Sequence, residues 1–123
     1  MQQYRFGWLV APLLAVALLA GCERREHKVR YEVRGTAADI AISYRNATGA
    51  TEQRDVRNGW VMEFSVLTGS YVGVTAFNKT GSGTVSCRLL VDGVVVQKAE
   101  SVGGYKLVGC DQLAGLTAPT PSP

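Results

Sequence analysis

From Val29 to Cys110 the chain alternates apolar and polar residues with a period of two, and this bounds its fold more tightly than any other feature. Val29, Tyr31 and Val33 alternate with Arg30, Glu32 and Arg34, and Ile40, Ile42 and Tyr44 with Ala41 and Ser43. Successive side chains of a strand point to opposite faces, so this spacing predicts strands with one buried face. Thr51–Arg57 is polar except for Val56, which predicts an edge strand or a loop crossing. Trp60, Met62, Phe64 and Val66 form an apolar face, and Trp60 is read as a core aromatic rather than a ligand contact. Tyr71–Phe77, Val85–Val91 and Tyr105–Cys110 read as further strands. Asp92-Gly93 lies between Val91 and Val94, the signal of a type I′ hairpin turn, whose two central residues both need positive φ. In that hairpin Val91 should face Val94, and Leu89 should face Val96. No sustained helical spacing occurs in this region. Seven to eight short strands predict an all-β chain, an antiparallel β-sandwich or a small barrel.

The N-terminus has a different character. Trp8 to Ala20 is an uncharged apolar run interrupted by Pro12. It is shorter than the ~20 residues a membrane-spanning helix needs. It reads as a secretory signal, residues 1–21, ending in Leu19-Ala20-Gly21-Cys22. That sequence matches the bacterial lipobox, in which the cysteine thiol takes a diacylglyceryl group and the small residues before it admit the peptidase. Cys22 is therefore the expected lipidation site. The mature chain would be anchored in a membrane through acyl chains on Cys22, at the extracytoplasmic face (periplasmic where there is an outer membrane). Residues 22–28 would form a charged tether carrying His27 as an exposed, inert side chain. The folded domain would span residues 29–113, followed by a disordered Pro-rich tail over 114–123.

Once Cys22 is set aside, Cys87 and Cys110 remain, in an exported chain where disulfides form. A bridge between them would close a loop of about 24 residues and stabilise the domain by about 3 kcal/mol. The alternative is a reactive or metal-binding pair, for which one distant histidine and no Cys-x-x-Cys offer little support.

Val29 to Cys110 resembles the soluble domain of the mycobacterial membrane protein small (MmpS) family. The resemblance is carried by Val-Arg-Tyr-Glu-Val-Arg-Gly-Thr-Ala from residue 29, by Trp60 after a polar strand, by Thr84-Val-Ser-Cys-Arg-Leu-Leu-Val-Asp-Gly93, and by Gly104-Tyr-Lys-Leu-Val-Gly-Cys110. It implies a β-sandwich with immunoglobulin-like character and a Cys87–Cys110 bridge. It also implies a transport accessory role beside RND-type exporters (MmpL). One departure stands out: the family is generally held by an uncleaved N-terminal transmembrane helix, where this chain carries a lipobox.

Little in the sequence suggests catalysis. The single histidine, His27, precedes the first strand, and the carboxylates show no paired spacing. Gly81-Ser-Gly-Thr84 lacks the lysine of a phosphate loop. The net charge of +3 is too mild for nucleic-acid binding. The chain is expected to be no enzyme, with no cofactor and no metal. The reading is a lipid-anchored envelope accessory protein that supports a membrane transporter of RND type by protein–protein contact. Arg54 and Arg57, on the polar strand, are the possible interface, although a charged edge also serves to prevent self-association. The rival reading is an independent periplasmic or cell-surface lipoprotein that binds a small apolar ligand or an envelope polymer.

Overall fold

A computed structural model describes residues 25–116. The signal segment, Cys22 and residues 117–123 of the Pro-rich tail lie outside the described residues. Eight strands follow in chain order: β1 (Glu26–Arg34), β2 (Ile40–Arg45), β3 (Thr51–Val56), β4 (Trp60–Leu67), β5 (Tyr71–Asn78), β6 (Thr84–Val91), β7 (Val94–Val102) and β8 (Leu107–Leu113). They form two four-stranded sheets, β4-β1-β6-β7 and β3-β2-β5-β8, and every pairing is antiparallel. The chain is an all-β sandwich, as the alternation predicts.

The apolar phase of each strand lines the space between the sheets. Val29, Tyr31 and Val33 of β1 are fully buried, as are Ile40 of β2, Val72 and Ala76 of β5 and Val85 and Leu89 of β6. Each such Val, Leu or Ile contributes about 1.5–3 kcal/mol by leaving water. Two ties cross between the sheets. Cys87 of β6 is bonded to Cys110 of β8, and both residues are buried. Tyr31 of β1 donates its hydroxyl to the Arg45 carbonyl at 2.7 Å and accepts from the Gly73 N–H at 2.9 Å, which joins it to β2 and β5. Burial pushes the Tyr31 hydroxyl up to about 12. Trp60 is half-buried and packs on the core, its ring 4.8 Å from Tyr44 and 6.4 Å from Tyr31.

Several boundaries differ from the sequence reading. The tether does not run to Lys28, because β1 begins at Glu26 and pairs with Leu67 of β4 from that residue. The last strand is Leu107–Leu113, not Tyr105–Cys110; Tyr105 sits in the preceding turn with φ 55°. The body also continues past residue 113, since Ala114 is fully buried and exchanges backbone hydrogen bonds with Gly69 and Ser70. In the β6–β7 hairpin, Asp92 and Gly93 have φ of 53° and 82°, as a type I′ turn requires, and Val91 faces Val94. Leu89 faces Gln97 rather than Val96, because the register shifts between Leu89 and Leu90. Such an irregularity moves the partner by one residue. Val96 still packs against the core.

The sandwich has two poles. The start of β1, the turns Thr68–Ser70 and Asp92–Gly93, and residues after Leu113 share one pole, as the pairs Glu26↔Leu67, Val91↔Val94 and Tyr71↔Leu113 require. The connections 35–39, 57–59, 79–83 and 103–106 lie at the other. At that far pole Gly104 passes so close to the Gly81 backbone that any side chain would collide with it.

Candidate functional site

Two regions of the surface stand apart from the ordinary solvated strand faces: the pole where β1 starts, and the free edge at β3.

His27 organises the first region. It occupies the same phase of β1 as Val29, Tyr31 and Val33, so it points inward, and it is 8% exposed. Its Nδ1–H donates to Asp92 Oδ2 at 2.6 Å, and its Nε2 lies 2.8 Å from Thr68 Oγ1. Asp92 also accepts from the Lys28 N–H at 3.0 Å. The hydrogen bond from His27, followed by that from Lys28, holds the Asp92 carboxyl below its ordinary range. The Thr68 hydroxyl and its N–H both reach the Arg25 carbonyl, at 3.1 and 2.9 Å. Gly115 lies directly against the His27 ring, where a Cβ would collide with the imidazole. One side chain thus gathers the N-terminal segment, the β4–β5 turn, the β6–β7 turn and the end of the folded chain. The sequence reading set His27 aside as exposed surface, and the structure corrects that. The signal was its parity: it stands two residues before Val29, in step with the buried set. Asp92 was read as a turn residue alone; it is that and also the partner of His27.

The second region is the edge at β3. Among the described residues this strand pairs only with β2, and its other side is free. The reading of 51–57 as an edge strand or crossing resolves to an edge strand ending at Val56. Arg54 stands opposite Ile42 and is exposed, and Arg57 follows in the bend after β3. Among the described residues neither arginine is held in an ion pair, whereas Asp55 between them accepts from Lys79 at 3.2 Å. Arg54 borders an open depression of about 490 Å³ shared with Ala41, Ser43, Thr75 and Phe77. At the opposite side of the sandwich β7 packs on β8, while β3 and β4 make little contact with each other. The sandwich is therefore open along the β3–β4 edge.

The outer face of the first sheet is a charged lattice. Arg30 donates to Glu32 and Glu63, both at 2.7 Å. Glu32 is 7% exposed although it points outward, and Arg88 Nε stands 3.5 Å from its Oε1, too far for a good hydrogen bond. Its carboxyl is held below the usual range, chiefly by the bond from Arg30. Among the described residues no group of three or more His, Cys, Asp or Glu could hold a metal ion. Among them, too, no helix is long and apolar enough to cross a membrane.

Residues 23–110 match the family model described as Mycobacterium membrane protein. The chain belongs to the Mycobacterium membrane protein family. The match covers β1 through the second half-cystine in β8, and so takes in both sheets and the disulfide of this family member. No curated protein matches the chain significantly. Family membership agrees with the resemblance to the MmpS family and makes this a member of a membrane-protein family.

Proposed function

We propose that this family member is a lipid-anchored envelope accessory protein that supports a membrane transporter of RND type by protein–protein contact. The observation that carries the reading is the family match from β1 to Cys110 in β8. The lipobox Leu19-Ala20-Gly21-Cys22 adds a means of membrane attachment through acyl chains on Cys22. A sheet edge that is free among the described residues, with Arg54 and Arg57 outside any ion pair among them, offers a partner main-chain donors and acceptors along β3 and cations at its end. Anchoring raises the local concentration of that edge beside a membrane-embedded partner, so a weak contact suffices.

The test is in-cell photo-crosslinking of the full-length chain with a reactive residue at position 54 or 57, followed by mass spectrometry. Recovery of an RND-type transporter is the expected result. A crosslinker at position 63, on the charged outer face, serves as comparison and should recover less. If controls crosslink well but no transporter is found, the accessory role fails. The rival, an independent lipoprotein binding a small apolar ligand or an envelope polymer, then becomes the better reading. In parallel, Cys22→Ala should leave the fold intact and release the protein from the membrane.

A further inference from the structure

We infer that the domain stands on the bilayer on its His27 pole, pressing a rim of Leu67, Val94, Leu113 and Leu116 into the lipid interface. The inference rests on the proposed lipidation of Cys22 and goes beyond it, since an acyl anchor alone leaves the orientation of the domain free.

The length of the tether carries the argument. Thr68 binds the Arg25 carbonyl through both its N–H and its hydroxyl, so the folded body reaches at least to Arg25. Only Glu23 and Arg24 separate it from Cys22. Three residue steps span at most about 11 Å, whatever their conformation. With Cys22 held at the headgroup level by its acyl chains, the His27 pole cannot leave the membrane surface.

Along β4, β7 and β8 that pole presents apolar side chains, beside the polar β2–β3 turn at 46–50, which the pairs Arg45↔Thr51 and Tyr44↔Val74 place at the same pole. Leu67 ends β4, Val94 begins β7, Leu113 ends β8 and Leu116 closes the described chain, with exposures of 47%, 62%, 47% and 54%. Leu116 approaches Gly69 in the β4–β5 turn, and its N–H bonds to the Leu113 carbonyl at 3.2 Å. Leu67 belongs to one edge strand of its sheet and Val94 to the other, so the rim spans the width of the pole. The ionisable groups beside it are largely occupied internally: Asp92 with His27 and Lys28, Asp111 with the Tyr71 hydroxyl at 2.6 Å, and Arg45 over the Tyr71 ring. Arg25, Glu26 and Lys28 complete a mixed, near-neutral collar.

Other exposed apolar side chains, Val102, Tyr105 and Leu107, lie at the far pole. Nine-residue β1 separates the poles by about 27 Å. To bring them to the lipid, the domain would have to lie along β7, where Gln97, Lys98 and Glu100 are exposed and would enter the interface. Burying the Lys98 and Glu100 charges is unfavourable, which selects the upright arrangement.

The mature chain holds one tryptophan, Trp60, at the far pole. The experiment uses the full-length lipidated protein, with Leu116→Trp or Val102→Trp added, on phosphatidylcholine vesicles with or without dibrominated acyl chains. Flotation reports anchoring, and bromine quenching reports contact of the indole with the acyl region. The expected result is that all three proteins float, that the emission added by Leu116→Trp falls at least about twofold, and that Trp60 and the Val102→Trp emission are unchanged. A further Val94→Glu change in the Leu116→Trp protein should restore much of the lost emission while flotation persists. Failure to float would overturn the anchoring reading, and the docking with it. Flotation with equal quenching at 102 and 116 would overturn docking alone. So would a blue-shifted but unquenched indole at 116, which would mean that residues 117–123 or a second copy covers the rim.

Discussion

His27 Nδ1 and Asp92 Oδ2 lie 2.6 Å apart although 65 residues separate them, and this bond joins the first strand to the β6–β7 turn. The same ring reaches Thr68 on its other side and fills the space against Gly115. His27→Ala removes both hydrogen bonds and leaves a void beside Gly115. We expect it to destabilise the domain by about 1–3 kcal/mol, chiefly through the two lost hydrogen bonds and the void left by a buried ring. Denaturant unfolding measures this. His27→Gln, which keeps one donor, should lose less than the alanine variant. A change within experimental error for alanine would show that the pole is held without the ring.

The carboxyls set the direction of the pH dependence. Asp92 and Glu32 are both held below their ordinary range in the folded chain, Asp92 by His27 and Lys28 and Glu32 by Arg30. A carboxyl with a depressed folded value binds its proton more readily when unfolded. Its contribution is therefore present above the ordinary carboxylate range, near pH 4, and is lost as pH falls through the lowered folded values. Thermal unfolding between pH 6 and pH 2 should show stability falling below about pH 4. Asp92→Asn should make that fall shallower, and an unchanged slope would remove Asp92 from the account.

The sandwich was legible wherever a strand has one buried face. Val29, Tyr31 and Val33, or Ile40, Ile42 and Tyr44, announce their inward side by alternation, and the structure buries all six. The Asp92-Gly93 turn was legible because its φ values admit few residue types. Parity alone could not reveal the chemistry of long-range pairs. His27 looked like tether because its neighbours Glu26 and Lys28 are charged and its partners Thr68 and Asp92 are remote in sequence. Glu32 stands on the polar phase of β1, yet Arg30 and Arg88 on its own face cover it. The one-residue shift opposite Leu89 has no local signal in the hairpin sequence. Family membership was legible in the segment from Thr84 to Gly93 and in the spacing to Cys110. The open β3–β4 edge could be seen only once the strand order was known.

The disulfide ties the two sheets at a point where both half-cystines are buried. Its loop spans residues 87–110 and includes all of β7, so its removal frees a long segment of the unfolded chain. The paired change Cys87→Ala with Cys110→Ala should cost about 3 kcal/mol. The variant should remain all-β by circular dichroism, because every strand keeps its partners. Equal stability with and without the bridge would mean that the inter-sheet core alone sets the geometry.

Trp60 and Arg54 separate packing from recognition. Trp60 stacks in the aromatic cluster with Tyr31 and Tyr44, and Trp60→Ala should destabilise the domain by about 3 kcal/mol, as truncating a large core aromatic does. Arg54 holds no ion pair among the described residues and lies on a free edge. Arg54→Glu should leave stability within about 0.5 kcal/mol of the parent. If the β3 edge is the contact, the same variant should sharply reduce transporter recovery in the crosslinking experiment, because it replaces a cation at the partner's docking strand with an anion. Trp60→Ala should reduce recovery only in proportion to the fraction unfolded. Loss of stability in Arg54→Glu would instead place this arginine among the groups that hold the fold. Full stability with undiminished recovery would move the contact away from β3, to another edge or to the far pole.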